Sequence, residues 1–479
     1  MIDIFIEIIG GLFKGILELL GDIFQTIFQS GTKRKQELDA DFLSPNSILS
    51  VYNKGFALNG LGNLTVKDSY MSSMVLGGSG SGKSVSVCIP TIYNLLKHGH
   101  SIVIHDPSGE LFRASAAISQ KFGYNLKIIH YSNSLISDGY NPMARANDAS
   151  GIQKVAMLLV RNALGESKDP FWGTQSVMLI SLLMRILKKN NMWYQNLANV
   201  KLLLDSMAAK PDALDVLVAK CNDRNILNEY KQFLVMDKKL LISITSTCRA
   251  ALSIFNDPKV QVVTAFDSVD FDAFRKEKTI LFIQNKTGDM KYYSTLSAIF
   301  FEQFFAHLMD KLPEKEDKSV FFILDEASSL YLPTLPIALA NLRKFKAGIM
   351  TIAQDFNQFI HLYGTYEAEA IKSNSYSKIF FPGAPLNTCQ ELERLLGTFQ
   401  YADEKGNIRL RPLMTTDEIR TMKPNTALIL AGSNRAIFTK MHPYFKNMKY
   451  KKFSKVPVPK PSSKIPFEEL PLIPLPTEL

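Results

Sequence analysis

The feature that most constrains this chain is the loop Gly77-Gly78-Ser79-Gly80-Ser81-Gly82-Lys83-Ser84, set between an apolar run, Met74–Leu76, and a helical stretch. It reads G-x-x-x-x-G-K-S in the strand–loop–helix context that a phosphate-binding loop requires. Glycines let backbone N–H groups turn inward around phosphate oxygens, and the helix start adds a favourable partial charge. In this reading Gly77 to Ser84 bind the ATP phosphates, Lys83 reaches the β- and γ-phosphates, and Ser84 ligates Mg²⁺. A flexible Gly/Ser linker would leave the fixed spacing of Gly77, Gly82, Lys83 and Ser84 unexplained.

Such a loop needs a second carboxylate at the end of a neighbouring strand. The apolar run Ser319–Leu324 suits a strand buried in a parallel sheet, and it ends in Asp325-Glu326. Asp325 is placed to complete the Mg²⁺ shell and Glu326 to polarise an attacking water. An Asp at that point is also a common helix cap, so the pair gains its meaning from the phosphate loop. Together the two motifs predict a RecA-like α/β ATPase.

Two further residues follow. Gly348–Ala353 reads as the next strand, ending at Gln354. A side-chain amide there can sense the γ-phosphate, or it can simply cap a helix. Arg343 precedes that strand beside Lys344 and Lys346. It reads either as an arginine finger acting across a subunit interface or as part of a solvated basic face.

At 479 residues, with 46% apolar and 21% charged residues, the chain exceeds one compact domain and has ample core. Strand-like runs recur at 101–105, 125–130, 279–285, 319–324, 348–353, 377–381 and 426–430, with helical patterns between several. That alternation predicts a mainly parallel sheet covered by helices. Residues 141–275 break the rhythm and read as helices only, an all-α insertion splitting the nucleotide-binding domain into residues 66–140 and 276–445. Residues 31–65 form a lead-in. Cys88, Cys221, Cys248 and Cys389 contain no C-x-x-C pair, so neither a disulfide framework nor a structural zinc site is expected.

Residues 1–30 are apolar but interrupted by Asp3, Glu7, Lys14, Glu18 and Asp22, too often for a spanning helix. On a helical wheel those charges share one arc, which predicts an amphipathic helix associated with a membrane or a membrane partner. Lys33, Arg34 and Lys35 follow as a basic juxtamembrane cluster would. At the other end, residues 446–479 form a tail that is first basic and then Pro-rich. Its lysines at 446, 449, 451, 452, 455, 460 and 464 alternate with aromatics that include Tyr444, Phe445, Tyr450 and Phe453. Lysines can neutralise phosphates while aromatics stack on bases; a solvated basic extension reads equally well. The Pro-rich end should be extended. The net charge of +10 permits a polyanionic partner without demanding one.

The ordered set of segments resembles a known family. GGSGSGKSVSVCIPTIYNL, SIVIHDPSGELF, YNPM at 140–143, Asp169-Pro170-Phe171-Trp172, LDEASSL, IAQDFNQF, the Asn374 region, Arg411-Pro412-Leu413 and TTDEIR together resemble the coupling ATPases of type IV secretion systems. The resemblance covers roughly residues 66–445. It implies ATP and Mg²⁺ as cofactors, relaxase-bound single-stranded DNA or protein substrates as cargo, and secretion-channel components as partners. It also implies a homo-hexamer and a place in the bacterial cytoplasm, peripherally attached to the inner membrane. Family members commonly carry Lys where this chain has Ser108; here Asp106-Pro107-Ser108-Gly109-Glu110 reads as a helix start, with Asp106 as N-cap and Pro107 at N1. Many members also begin with two transmembrane helices, where this chain has the amphipathic segment. Two other readings share the nucleotide motifs: a DNA-translocating ATPase of the segregation or helicase type, and a tethered adaptor that binds ATP without turning it over.

Overall fold

Continuous apolar runs, unlike alternating ones, demand cover on both faces of a sheet. In the computed structural model of this chain every such run becomes a strand of one sheet. Residues 39–165, 170–209, 211–285, 287–453, 456–459, 465 and 470–475 are described; the amphipathic segment 1–30 and Asp169 lie outside them. The strands are β1 (Ser73–Leu76), β2 (Ser101–His105), β3 (Asn125–His130), β4 (Thr279–Gln284), β5 (Val320–Leu324), β6 (Ala347–Ala353) and β7 (Ser377–Phe380), then β8 (Thr398–Ala402), β9 (Ile408–Pro412), β10 (Thr426–Ala431) and β11 (Ile437–Lys440).

Nine of them form a sheet in the order β11-β10-β7-β1-β6-β5-β2-β4-β3. Strands β1 to β7 run parallel. Strand β10 joins β7 antiparallel, and β11 closes that edge antiparallel to β10. The fold is therefore the expected α/β, RecA-like arrangement. Strand β11 and the separate β8–β9 hairpin are additional. The hairpin strands are mostly exposed, so no apolar run marks them. Their signal is the short turn between Asp403 and Asn407 with Gly406 at φ +80°.

The strict two-residue period sorts side chains onto two cores. Met74, Leu76, Val103, Leu281, Ile283, Phe322 and Leu324 face one; Val75, Ile102, Ile104, Ile280, Phe282, Phe321 and Ile323 face the other. The second core is covered by helices Ile89–Lys97 and Glu110–Lys121, which contribute Ile92, Leu96, Leu111 and Phe112. The first is covered by helix Met290–Asp310, whose Phe300, Phe301, Phe304 and Phe305 are fully buried.

Between β3 and β4, every described element from Pro142 to Lys276 is helical. Asp148, Asp223, Asp237 and Asp257 each cap a helix start through the carboxylate. Leu179, Leu183 and Leu203 belong to the same continuous core as Phe300 and Phe304, so this region is welded to the sheet face. The chain enters and leaves it side by side. Tyr140 N donates to Val263 O at 2.9 Å and Ser268 N to Gly139 O at 2.9 Å. Asn141, from the YNPM segment, ties the junction by donating through Nδ2 to Ala265 O (3.2 Å) and Gln195 O (2.8 Å).

One expectation is corrected. The helix after β2 starts at Glu110, with Gly109 (φ +68°) rather than Asp106 as its N-cap. Asp106 still serves that helix end, its carboxylate accepting from the Leu111 and Phe112 N–H groups at 3.2 and 2.7 Å. The tail aromatics Tyr444 and Tyr450 are half-buried, their rings 6.0 and 5.1 Å from Tyr93. All four cysteines are free thiols. Among the described residues no helix is long and apolar enough to cross a membrane.

Candidate nucleotide-binding site

In a parallel sheet, loops at the carboxyl ends of the strands converge on one edge. Strand β6 lies between β1 and β5, so the phosphate loop, Gln354 and Asp325-Glu326 arrive there side by side. Gly77 extends β1, donating to Ala353 O at 3.3 Å. A Cβ at Gly77 would stand 2.6 Å from Phe381 Cβ and 2.7 Å from Ser81 Oγ. Gly80 and Gly82 take φ +74° and +96°, a left-handed backbone that turns the loop. Gly78, Ser79 and Ser81 fill the intervening positions, and the buried Ser81 hydroxyl has no partner. Ser84 opens a π-type turn, Ser84–Cys88, which runs into helix Ile89–Lys97.

The Lys83 ammonium folds back onto its own loop, donating to Gly77 O and, at 3.0 Å, to Gly78 O. Burial lowers its pKa below the ordinary lysine value, opposed by the nearby Glu326 and Asp325 carboxylates. Asp325 is half-buried at the end of β5, its N–H donating to His105 O at 3.2 Å. Burial, then the charges of Asp106, Glu326 and Glu110, push its carboxyl up to about 7, with Lys83 opposing. A buried carboxyl crowded by like charges is relieved by a cation. Mg²⁺ is ordinarily held by one or two carboxylates plus phosphate oxygens. That suits Asp325 with Ser84, although no group of three or more acidic, His or Cys side chains is disposed for a metal among the described residues.

Glu326 follows at φ 54°, ψ 51°, a left-handed conformation that a non-glycine residue holds only under constraint. Gln354 Nε2 lies 3.4 Å from Glu326 Oε1. Its own N–H donates to Gln358 Oε1, which also accepts from Ser328 Oγ. Gln358, in the first turn of helix Asn357–Tyr363, thus holds the Gln354 backbone, and the Gln354 side-chain amide turns toward Glu326. The turn carrying Glu326 runs on to Tyr331, and Arg161 of the helical region stacks over that ring, 3.7 Å from its centroid. A cavity of about 660 Å³ opens there, lined by Arg161, Ser328, Ser329 and Tyr331 among others.

Arg343 is not brought to this edge. It is exposed before β6, its guanidinium 3.7 Å from Met71 Sδ. That is the amino-terminal end of the strands, roughly 20 Å from Gln354 at about 3.3 Å rise per residue. Ser108 Oγ accepts from the Glu110 N–H at 3.2 Å and does not replace a lysine's charge. Sequence reasoning missed Asp106 and Glu110 as members of the acidic cluster; their signal was the carboxylates following the β2 run.

No curated protein matches the chain in sequence. In fold it is similar to solved structures of the plasmid coupling protein TrwB. In complex with the non-hydrolysable GTP analogue GDPNP, TrwB shares 16% identity over 89% of this chain and 95% of that one, with a TM-score of 0.67. In complex with ADP and Mg²⁺ it shares 17% identity over 84% and 94%, also with a TM-score of 0.67. VirB4 of Thermoanaerobacter pseudethanolicus is more distant, with 13% identity over 82% and 97% and a TM-score of 0.51. The model of the family described as type IV secretory system conjugative DNA transfer matches residues 25–467. With that match spanning nearly the whole molecule, the chain belongs to the conjugative DNA transfer proteins of type IV secretion systems.

Proposed function

We propose that this conjugative coupling protein hydrolyses ATP with Mg²⁺ to deliver relaxase-bound single-stranded DNA, or protein substrates, to a type IV secretion channel. The observation that carries the reading is the convergence of Lys83, Asp325, Glu326 and Gln354 on one edge of the sheet. The nucleotide and Mg²⁺ complexes of TrwB, a structural neighbour, support it.

In this mechanism Gly77–Ser84 wrap the phosphates and Lys83 leaves its loop carbonyls for the β- and γ-phosphate oxygens. Asp325 and Ser84 would hold Mg²⁺, which when bound would draw charge from the phosphate oxygens. Glu326 orients the attacking water and accepts its proton at the carboxylate. When ATP binds, Gln354 exchanges its contact with Glu326 for the γ-phosphate and returns to Glu326 once that phosphate is lost, and the turn Ala327–Ser329 carries the change toward Tyr331 and Arg161.

We read residues 66–140 and 276–445 as the nucleotide domain and 141–275 as an all-α domain that receives cargo. Residues 1–30 hold the protein to the inner membrane or a membrane subunit. The working form is a homo-hexamer, in which Arg343 reaches the nucleotide of a neighbouring subunit from the far edge of the sheet. The test compares DNA-stimulated ATP hydrolysis by wild type and Glu326→Gln. Loss of the proton acceptor should lower turnover by about 10²-fold or more while nucleotide still binds. Equal rates would replace the ATPase with a non-hydrolysing adaptor.

A further inference from the structure

The final described segment, Leu470–Leu475, is seated against the helical region at the start of helix Leu197–Ala209. Pro471 O accepts from Asn196 Nδ2 at 3.2 Å and from Asn199 Nδ2 at 2.8 Å, and Ile473 N donates to Asn199 Oδ1 at 3.0 Å. All three bonds go to main chain. The two asparagines are themselves 0% exposed, and a bond from Asn199 N to Asn196 Oδ1 at 2.9 Å locks them together. Tail side chains alternate as on a strand: Pro471 and Ile473 are buried, while Leu472 and Pro474 are exposed.

A pair of asparagines that satisfies backbone groups reads an extended polypeptide and leaves sequence choice to the alternate apolar pockets. Were the segment to lift away, Asn196 Nδ2 and Asn199 Oδ1 would lose partners they hold inside the protein. A new extended segment would restore both bonds while covering the apolar surface that Pro471 and Ile473 leave behind. We propose that this groove is a polypeptide-binding site of the helical region. Its ligand is an extended segment with apolar side chains two residues apart, and residues 470–475 are its built-in occupant, which an incoming protein segment displaces. Tethering raises the local concentration of the tail, so even a weak segment holds the site until a better one arrives.

The test uses the full chain and a fluorescent peptide with the sequence of residues 468–477, read by anisotropy without nucleotide, so its outcome is independent of ATP turnover. Full chain carrying Ile473→Asp, its own tail unseated, should bind the peptide at least about tenfold more tightly than wild type. On the peptide, Ile473→Asp should weaken binding at least about tenfold, while Leu472→Asp, at an exposed position, should leave it within about twofold. These peptide variants leave the protein's folding untouched. No binding to the Ile473→Asp chain, equal binding by both chains, or indistinguishable peptide variants would each overturn the proposal.

Discussion

Glu326 shows where a residue's chemistry and its backbone part company. Its place after an apolar run is readable from sequence, but its left-handed conformation is imposed by the turn it enters and leaves no compositional trace. Asp106 is similar: its burial and its bonds to Leu111 and Phe112 N–H groups depend on a helix starting later than the Asp-Pro pair implies. His100 carries a prediction at this scale. Its ring meets Phe321 edge-on at 5.4 Å, and burial, with His98 and Lys54 adding repulsion, pulls its pKa down to about 4. The unfolded chain therefore binds the proton first. This histidine's contribution is present above about pH 6.5 and is lost as pH falls toward 4. Urea unfolding at pH 7.5 and 4.5 should show His100→Phe spared roughly 2–3 kcal/mol of the wild-type loss, at 1.36 kcal/mol per pKa unit. An identical loss in the variant would refute this account.

Among elements, β6 is closely approached from outside the sheet. Gly348 has ordinary backbone angles, yet a Cβ there would lie 2.1 Å from Ser69 O and 3.0 Å from Tyr70 Cα. Backbone does not move aside as a side-chain tip does. Gly348→Ala should therefore destabilise the fold by roughly 1–3 kcal/mol, seen as a lower urea midpoint with unchanged slope; a midpoint within error of wild type would contradict it. The central strands were legible because both faces are buried, making each an unbroken apolar run such as Val320–Leu324. The hairpin was not, since β8 and β9 face solvent and carry apolar residues only at alternate positions, Phe399 and Tyr401 on one strand and Ile408 and Leu410 on the other, rather than in a continuous run. Strand β11, in which exposed Phe438 and Lys440 alternate with buried Ile437 and Thr439, pairs only at the sheet's edge. Of the site, Gly77–Ser84 and Asp325-Glu326 were readable because their chemistry fixes their spacing; the approach of Gln354 to Glu326 depends on neighbouring strands far apart in sequence.

For the whole molecule, the position of Arg343 separates two properties usually lost together. It lies beside Met71 at the amino-terminal ends of the strands, roughly 20 Å from the proposed nucleotide site of its own chain. Arg343→Ala should leave the affinity of the monomeric chain for an ATP analogue within about twofold, well short of the ~1.4 kcal/mol of a tenfold change, while slowing hydrolysis in the DNA-bound assembly. Titration calorimetry on monomer and steady-state turnover on assembly separate the two, and weakened binding by the monomer would show that the geometry is misread.

The side-by-side entry and exit of the helical region, tied by Gly139 and Ser268, have a consequence for inheritance. A stretch of gene whose two ends meet in space can be exchanged as a unit without disturbing the order of the strands on either side. Any replacement must still arrive with an oily surface shaped to cover the helix that carries Phe300, Phe301, Phe304 and Phe305. The order of the strands can thus be kept under a different helical cover, provided that cover brings its own apolar face.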